Sequence, residues 1–454
     1  MINDDIKNNP LYYEKLSKLL VRFAIPNIIS LLVSSLYNIV DQVFIGHGVG
    51  IYGNAATNVN FPITIICLSI SLFLGLGGTS IFNILLGESK KEEASIIIGN
   101  TLSLAIIISI ILTTIVLIFN RKIMTLFGAT DEVLSYAISY TSVTAIGFLP
   151  FIFSTVMSFI IRSDGSPKYS MFCVLVGAIV NTILDPIFIF KWGIIGAGIA
   201  TIIGQFISFI LVIRYKFNNI VLTKNSFILR YKNIFRIFFL GASGGINQLS
   251  MMITQIAMNN VFAYYGALSI YGANIPLAVS GIVTKVNTIV ISFVIGVVNS
   301  AQPIIGFNYG AKNYDRVINM MKLTLSTTIC IGLIATSIFH LFPRGIVSIF
   351  GSGDLLYFEF AEYYIHIFLF FMVVNGVQPV VGSFFTSMGK GIKGAFIATT
   401  RQIILLLPLL LILSKLFGLK GALYAGPISD FLTLILALSM FFLEIKRLNK
   451  LRLN

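Results

Sequence analysis

Apolar runs of about 20 residues or more recur along the whole chain, and they restrict its possible folds more than any other feature. A run of that length crosses the hydrocarbon core of a bilayer as a helix, which satisfies its own backbone hydrogen bonds there. With 57% hydrophobic residues, 11% charged residues and a mean hydropathy of +0.94, the 454-residue chain cannot be a soluble globular domain. We predict an all-α polytopic membrane protein with twelve transmembrane helices.

The basic residues set the topology of these spans. The predicted spans cover residues 20–44, 54–76, 94–119, 133–161, 169–190, 194–213, 237–264, 272–305, 317–341, 361–387, 394–417 and 421–443. Of the 31 Lys and Arg residues, 23 fall in the two termini and the even-numbered loops. The positive-inside rule therefore predicts that both termini are cytoplasmic, in a multi-pass protein of the plasma membrane. The net charge of +14 then reflects topology, and we expect no nucleic-acid partner.

The chain also repeats itself. Residues 51–53 match 270–272, residues 126–128 match 349–351, and residues 192–197 match 417–422, in the same order. Because six spans per repeat is an even number, both repeats enter the membrane from the same side, and a pseudo-twofold axis along the membrane normal should relate two six-helix bundles. We divide the chain into a cytoplasmic N-terminal segment (1–19), an N-terminal lobe (20–216), a basic cytoplasmic inter-lobe loop (217–236), a C-terminal lobe (237–443) and a cytoplasmic tail (444–454).

Two acids, Asp41 and Asp185, interrupt apolar spans in the N-terminal lobe. An acid at bilayer depth costs roughly 2.5 to 3.5 kcal/mol on insertion scales, so it indicates an ion or proton pathway by default. Tyr37 and Asn38 precede Asp41 on one helical face, and Asn181 precedes Asp185 by one turn.

Two facing carboxylates in a low dielectric cannot both stay ionised without a cation. With Thr201 added, Asp41, Asn181 and Asp185 form an all-oxygen set that suits Na⁺ as well as H⁺. We therefore predict a cation or proton site here, with Tyr37 and Asn38 around it. The alternative is that each acid only pairs with a structural donor.

Other candidates are less specific. Pro26, upstream of Asp41, is a candidate hinge in the first span. In the C-terminal lobe, Arg401 and Asp430 are expected to pair, whereas Lys285 either pairs or faces a water-filled cavity. A positive charge in the cavity would disfavour cationic cargo and leave room for anionic or zwitterionic cargo.

Several of these residues carry a resemblance to the multidrug and toxic compound extrusion (MATE) family. They are Pro26, Tyr37, Asp41, Phe44 and Gly46 in the first span, residues 181–186 leading into 196–201, the Gly87–Glu88 loop, and residues 162–165 after the fourth span. The resemblance covers essentially the whole chain. It implies a twelve-helix antiporter that exports lipophilic, often cationic, compounds in exchange for H⁺ or Na⁺, with Asp41, Asn181, Asp185 and Thr201 as the ion site. The chain departs from family members that carry further acids in the seventh and tenth helices. At the corresponding places its seventh span offers Asn247, Gln248, Gln255, Asn259 and Asn260, and its tenth offers Asn375 and Gln378.

The resemblance implies small-molecule cargo, no cofactor beyond the coupling ion, a bilayer environment and function as a monomer. An alternative within the same superfamily is a flippase or an exporter of anionic or lipid-linked cargo. A membrane enzyme is disfavoured, because the scattered His and Cys residues supply neither a metal site nor a nucleophile with its base.

Overall fold

The computed structural model describes residues 4–348 and 355–453, and these residues form an all-helical bundle. Its membrane helices are α1 (Leu16–Gly48), α2 (Ile51–Gly87), α3 (Lys91–Leu126), α4 (Asp131–Ser163), α5 (167–192), α6 (194–213), α7 (Tyr231–Ala267), α8 (Asn274–Gly310), α9 (Tyr314–Leu341), α10 (Leu355–Phe368 and Met372–Ser387), α11 (391–417) and α12 (419–453). Short helices lie at Asp4–Lys7, Pro10–Tyr13 and Pro343–Ser348, and a 3-10 helix lies at Lys224–Phe227. The all-α polytopic class and the twelve-helix arrangement are confirmed.

Two of the helix boundaries are single glycines. Gly193 separates α5 from α6 with φ 60° and ψ −137°, and Gly418 separates α11 from α12 with φ 62° and ψ −143°. This backbone conformation is essentially restricted to glycine. The chain therefore breaks twice in the same way, 225 residues apart, without inserting a loop.

The same repeat appears in the other residues with positive φ. Gly50 pairs with Gly272, Ser89 with Lys312 and Gly165 with Gly389, and the separations are 222 to 224 residues. Gly128 also has a positive φ, but its sequence match, residues 349–351, lies outside the described residues. The backbone thus carries the internal duplication that the sequence predicts.

Most helices are longer than the apolar runs that predict them. The predicted second span ends at residue 76, whereas α2 continues to Gly87 through a stretch rich in small and polar residues. That stretch is buried in the protein rather than in lipid, so hydropathy misses it. Likewise α12 continues to Leu453, through most of the segment 444–454 that we assigned to a tail.

The two lobes pack against each other at the end of the bundle that carries both termini, which we call the terminal end. A Cβ on Gly77 of α2 would lie 1.9 Å from the carbonyl oxygen of Ile237 in α7, and one on Gly87 would lie 2.0 Å from that of Phe307 in α8. Asn27 of α1 donates from Nδ2 to the carbonyl oxygen of Gly296 in α8 at 2.9 Å. Small residues allow the backbones this close approach.

Towards the other end the lobes separate. The largest apolar cluster includes residues of both lobes at the terminal end, for example Ile81 and Ile304. Two smaller clusters lie towards the other end, and each belongs to one lobe: one around Ile45 and Ile189, the other around Phe262. The structure is therefore a V-shaped bundle whose cleft opens away from the termini.

The connection between the lobes is fastened to the N-terminal lobe. The carboxylate of Asp164, at the end of α4, accepts hydrogen bonds from the hydroxyl of Tyr215 at 2.8 Å and from the backbone N–H groups of Asn218 and Asn219 at 2.6 and 3.1 Å. Asn100 of α3 accepts from the backbone N–H of Arg230 at 2.9 Å. Residues 215–230 are thus held against α3 and α4 before α7 begins.

Candidate ion-binding site

The two acids of the N-terminal lobe lie together. Asp41 is on α1 and Asp185 is on α5, two helices that pack along each other, and their carboxyl groups are within hydrogen-bonding reach of one another. Asp185 is fully buried. No cationic side chain of the described residues contacts either acid. The pair therefore needs a proton or a cation to balance its charge.

Asn181 and Thr201 complete a polar cluster with Asp185. The Asn181 amide donates from Nδ2 to Asp185 Oδ1 at 3.1 Å and lies 3.5 Å from Thr201 Oγ1 on α6. Asn181 is one turn before Asp185 on α5, and the Gly193 break folds α6 back so that Thr201 reaches the same level. All four members of the predicted set thus lie in one region of the lobe.

Three buried oxygens in this cluster lack a hydrogen-bond partner: Asp41 Oδ1, Asn181 Oδ1 and Asp185 Oδ2. An unsatisfied buried oxygen is costly, so this set is suited to receiving a proton or a hard cation. A transition-metal site is not suggested, because the described residues contain no cluster of three or more His, Cys, Asp or Glu side chains. The donor set fits Na⁺ or H⁺.

Two tyrosines adjoin the acids. Tyr37 is close enough to interact electrostatically with both carboxyl groups. The Tyr140 hydroxyl of α4 lies near Thr201 and is also close to Asp41. Tyr140 is not predictable from the sequence, because it comes close to the acids only through the packing of α4 in the N-terminal lobe. The two phenol hydroxyls provide hydrogen-bond donors beside the acid pair.

The C-terminal lobe does not repeat this site. The residues at the positions equivalent to Asn181 and Asp185, 225 residues further on, are Leu406 and Leu410, and both are buried in an apolar cluster. One buried acid of this lobe is Asp430 on α12, whose Oδ1 lies 2.6 Å from Arg401 Nε. With its amide turned to donate, Asn375 Nδ2 lies 3.0 Å from Asp430 Oδ2. Asp430 is therefore neutralised by a protein cation.

The irregular stretches of the C-terminal lobe hold these partners. Arg401 lies in a π-helical stretch of α11, Thr400–Leu406, and Asn375 lies at the break of α10, where the helix bends by 48°. A π-bulge or a break leaves backbone groups free and re-aims a side chain. Sequence reasoning paired Arg401 with Asp430 but did not include Asn375.

The remaining candidates have no hydrogen bond to the acid pair. Pro26 lies inside α1, which continues through it from Leu16 to Gly48, next to Asn27 at the lobe contact. Asn38 is exposed and donates to the carbonyl oxygen of Ser34 at 2.7 Å. Lys285 is exposed on α8.

A polar contact that the sequence did not reveal joins the lobes. Arg162, at the end of α4, hydrogen-bonds to Asn27 Oδ1 and stacks its guanidinium 4.5 Å from the ring centre of Phe159. Asn27 in turn donates to Gly296 of the other lobe. One buried asparagine, Asn27, therefore links the helices α4, α1 and α8.

A two-lobed helical bundle with an open cleft and a buried carboxyl pair in one lobe has the architecture of an alternating-access membrane transporter. Comparison with known proteins identifies the family of transporters. A family model described as MatE matches residues 26–187 and, separately, residues 245–412, once in each lobe. The chain belongs to the MatE family of multidrug efflux transporters, and the resemblance seen in the sequence is confirmed.

Individual relatives agree over the full length. The multidrug export proteins MepA of Staphylococcus saprophyticus and Staphylococcus aureus are each 24% identical over 451 residues, covering 98% of both chains. Among solved structures, a MOP superfamily transporter from Pyrococcus furiosus, described as having a binding pocket of reverse polarity, superposes with a TM-score of 0.89 at 21% identity over 99% of each chain. An outward-facing MATE transporter gives a TM-score of 0.89 at 22% identity over 98% of each chain. These structural likenesses show the shared fold.

Proposed function

We propose that this protein is a cation-coupled antiporter of the plasma membrane, which exports lipophilic small molecules by alternating access. The observation that carries the proposal is the Asp41–Asp185 pair with its three unpartnered oxygens, in the one lobe of the described structure where buried carboxyls meet without a cationic side chain. Multidrug export by relatives that match along the whole chain supports the same conclusion.

The V shape supports a transport direction. With both termini in the cytoplasm, as the distribution of Lys and Arg predicts, the cleft opens to the outside and the terminal end is the closed cytoplasmic side. In this state the pair takes up H⁺ or Na⁺ from outside. The bound cation neutralises the acids, which allows the lobes to rock towards the inward-facing state, where the cation leaves and cargo binds.

The energy available is adequate for accumulation of cargo. One elementary charge that moves inward through about 100 mV releases roughly 2.3 kcal/mol, and an ion concentration gradient adds to this. No cofactor or partner subunit is needed in this scheme, and the monomer contains both lobes and the complete ion site.

Charge-removing variants of the acid pair test the proposal. Asp41→Asn and Asp185→Asn preserve side-chain shape, so each should fold normally and lose ion-gradient-driven efflux of a fluorescent substrate from proteoliposomes. Glu92→Gln, at the exposed start of α3, is a control that also removes one negative charge but lies outside the site. Unchanged transport in both acid variants would refute the ion site.

The coupling ion is identified by imposing one gradient at a time. Efflux is measured under a pH gradient without Na⁺, and then under a Na⁺ gradient at equal pH. A response to one gradient alone names the coupling ion. Efflux that ignores both gradients would refute coupled antiport and favour the alternative of a flippase or another uncoupled transporter.

A further inference from the structure

Lys285 lies on the side of α8 that points away from its own lobe. The core-facing side of α8 is marked by the buried residues Val279, Val283 and Val294. At 100° per residue, Lys285 lies about 160° around the helix from Val283. Its side chain is therefore directed away from the C-terminal core, and it is exposed.

The side of α8 that carries Lys285 faces the N-terminal lobe. Gly296 lies on the same side, and a Cβ there would be 2.4 Å from a side-chain atom of Ile28 in α1. Lys285 precedes Gly296 by 11 residues, which is about three turns, or roughly 16 Å along the helix. Lys285 therefore lies on the cleft wall, above the point where the lobes close.

The opposite wall at this height belongs to the ion site. Asn38 follows Asn27 by the same 11 residues on α1, so it lies about three turns above the same lobe contact. Asn38 is exposed, and Asp41 is one turn further along α1. Lys285 thus lies on one wall of the cleft, and the Asp41–Asp185 pair is buried behind the opposite wall at similar depth.

The C-terminal wall offers Lys285 no counter-charge. Neither α7 nor α8 contains an Asp or Glu residue. Asn259 of α7, five turns above the lobe-contacting Gly241, adds an exposed amide to this wall and accepts from Gln255 at 3.0 Å. No salt bridge to Lys285 is found in the described part of the chain. An uncompensated cation at this depth indicates a ligand-binding role by default.

We propose that Lys285 binds an acidic group of the cargo, and that the cleft takes lipophilic zwitterions. The carboxylate or sulfonate of the cargo pairs with Lys285, while its cationic group lies towards Asp41 and Asp185 on the other wall. This arrangement rests on the proposed antiport function and is consistent with exchange of cargo for the coupling ion. The cationic end of the cargo competes with the coupling ion for the acid pair, whereas the acidic end selects the cargo.

A matched pair of dyes tests the proposal. Rhodamine B is a lipophilic zwitterion, and rhodamine B ethyl ester is the same molecule with its carboxylate blocked. Binding is measured by fluorescence polarisation with the full-length protein in nanodiscs, and efflux is measured in proteoliposomes with an ion gradient. We expect the wild-type protein to bind rhodamine B at least tenfold more tightly than the ester.

Three variants assign the preference to this residue. Lys285→Gln should lose about tenfold in affinity and efflux for rhodamine B and leave the ester unchanged or improved. Lys285→Arg should retain the preference. Lys415→Gln, which removes one exposed positive charge from α11 in the same lobe, is the matched control and should behave as wild type.

The outcomes separate this inference from the function on which it rests. Equal affinity of the wild type for both dyes, binding of neither dye, or an equal loss for both dyes in Lys285→Gln would overturn the role of Lys285. If the wild-type protein exports the ester, loss of that efflux in Asp41→Asn would still support antiport, whatever the role of Lys285. Lys285-dependent translocation of acyl-labelled phosphatidylethanolamine, with no rhodamine B efflux, would replace the small molecule with a zwitterionic lipid headgroup and overturn the cargo assignment.

Discussion

At the scale of single residues, the two lobes bury their carboxyl groups in opposite ways. Asp430 has Arg401 and Asn375 as partners, whereas Asp185 has Asp41. A buried acid with a protein cation is permanently neutralised, but two acids together are neutral only while an ion or proton is present. The C-terminal pair is therefore structural, and the N-terminal pair is suited to a transport cycle.

The structural role of Arg401 leads to a stability prediction. Arg401→Met leaves Asp430 buried without its cation, and breaking one partner of a buried pair costs about 3–5 kcal/mol. We expect a matching loss in unfolding free energy, measured by denaturant titration in detergent. The double variant Arg401→Met with Asp430→Asn should recover most of the loss. A single variant as stable as wild type would show that the ion pair contributes nothing.

The ion site could be predicted from the sequence only in part. Asp41 and Asp185 are conspicuous because acids are rare in apolar spans, and Asn181 follows from helical spacing. Tyr140 reaches the same cluster through the packing of α4 against α6, which no local pattern encodes. The contacts of Asn375 and Arg162 were not predictable for the same reason, since their partners are more than 50 residues away in sequence.

At the scale of helices, the glycine breaks at Gly193 and Gly418 are the most constrained positions. Gly193→Ala or Gly418→Ala forces a side chain into a conformation that costs on the order of 1–3 kcal/mol. We expect each variant to lower the melting temperature in detergent. Gly281→Ala is the control, because its added Cβ meets no atom within 4 Å and lies in a regular helix. Equal effects at all three positions would contradict the argument.

Helix number was predictable from the sequence, but helix ends were not. Apolar runs identify the part of each helix that faces lipid or core, so all twelve were found. The extensions of α2 and α12 contain many polar or small residues, and they are helical because they contact other helices. The π-helical stretch in α11 and the 48° bend in α10 also depend on tertiary packing, and no local residue pattern predicts them.

At the scale of the whole molecule, closure of the terminal end depends on small residues in the lobe interface. A Cβ on Gly310 would lie 2.1 Å from the carbonyl oxygen of Ile84. Gly310→Leu should therefore separate the lobes there and shift the population to the state that is open at the terminal end. Spin labels at exposed positions Lys168 and Lys322 measure this distance in a background without the exposed Cys330. An unchanged distance distribution would contradict the prediction.

The N-terminal segment lies across the same closed end. The Arg316 guanidinium of α9 donates to the carbonyl oxygens of Leu11 and Glu14 at 3.1 and 2.7 Å, and Asn308 of α8 also donates to Leu11 at 2.9 Å. Charge-assisted hydrogen bonds contribute about 1.5–3 kcal/mol each. Arg316→Gln should therefore increase tryptic cleavage at Lys15 by tenfold or more. Arg344→Gln, whose partner is Glu362, is the control and should leave the cleavage rate unchanged.

The attachment of residues 215–230 to α3 and α4 also has a mechanical consequence. An unattached linker would allow the two lobes to move relative to each other in many directions. This linker instead moves as part of the N-terminal lobe, so the backbone is free to pivot only where α7 begins. A protein cleaved once within residues 215–230 should therefore still transport, because the cleaved segment stays bound to α3 and α4 and the lobes stay associated through their interface.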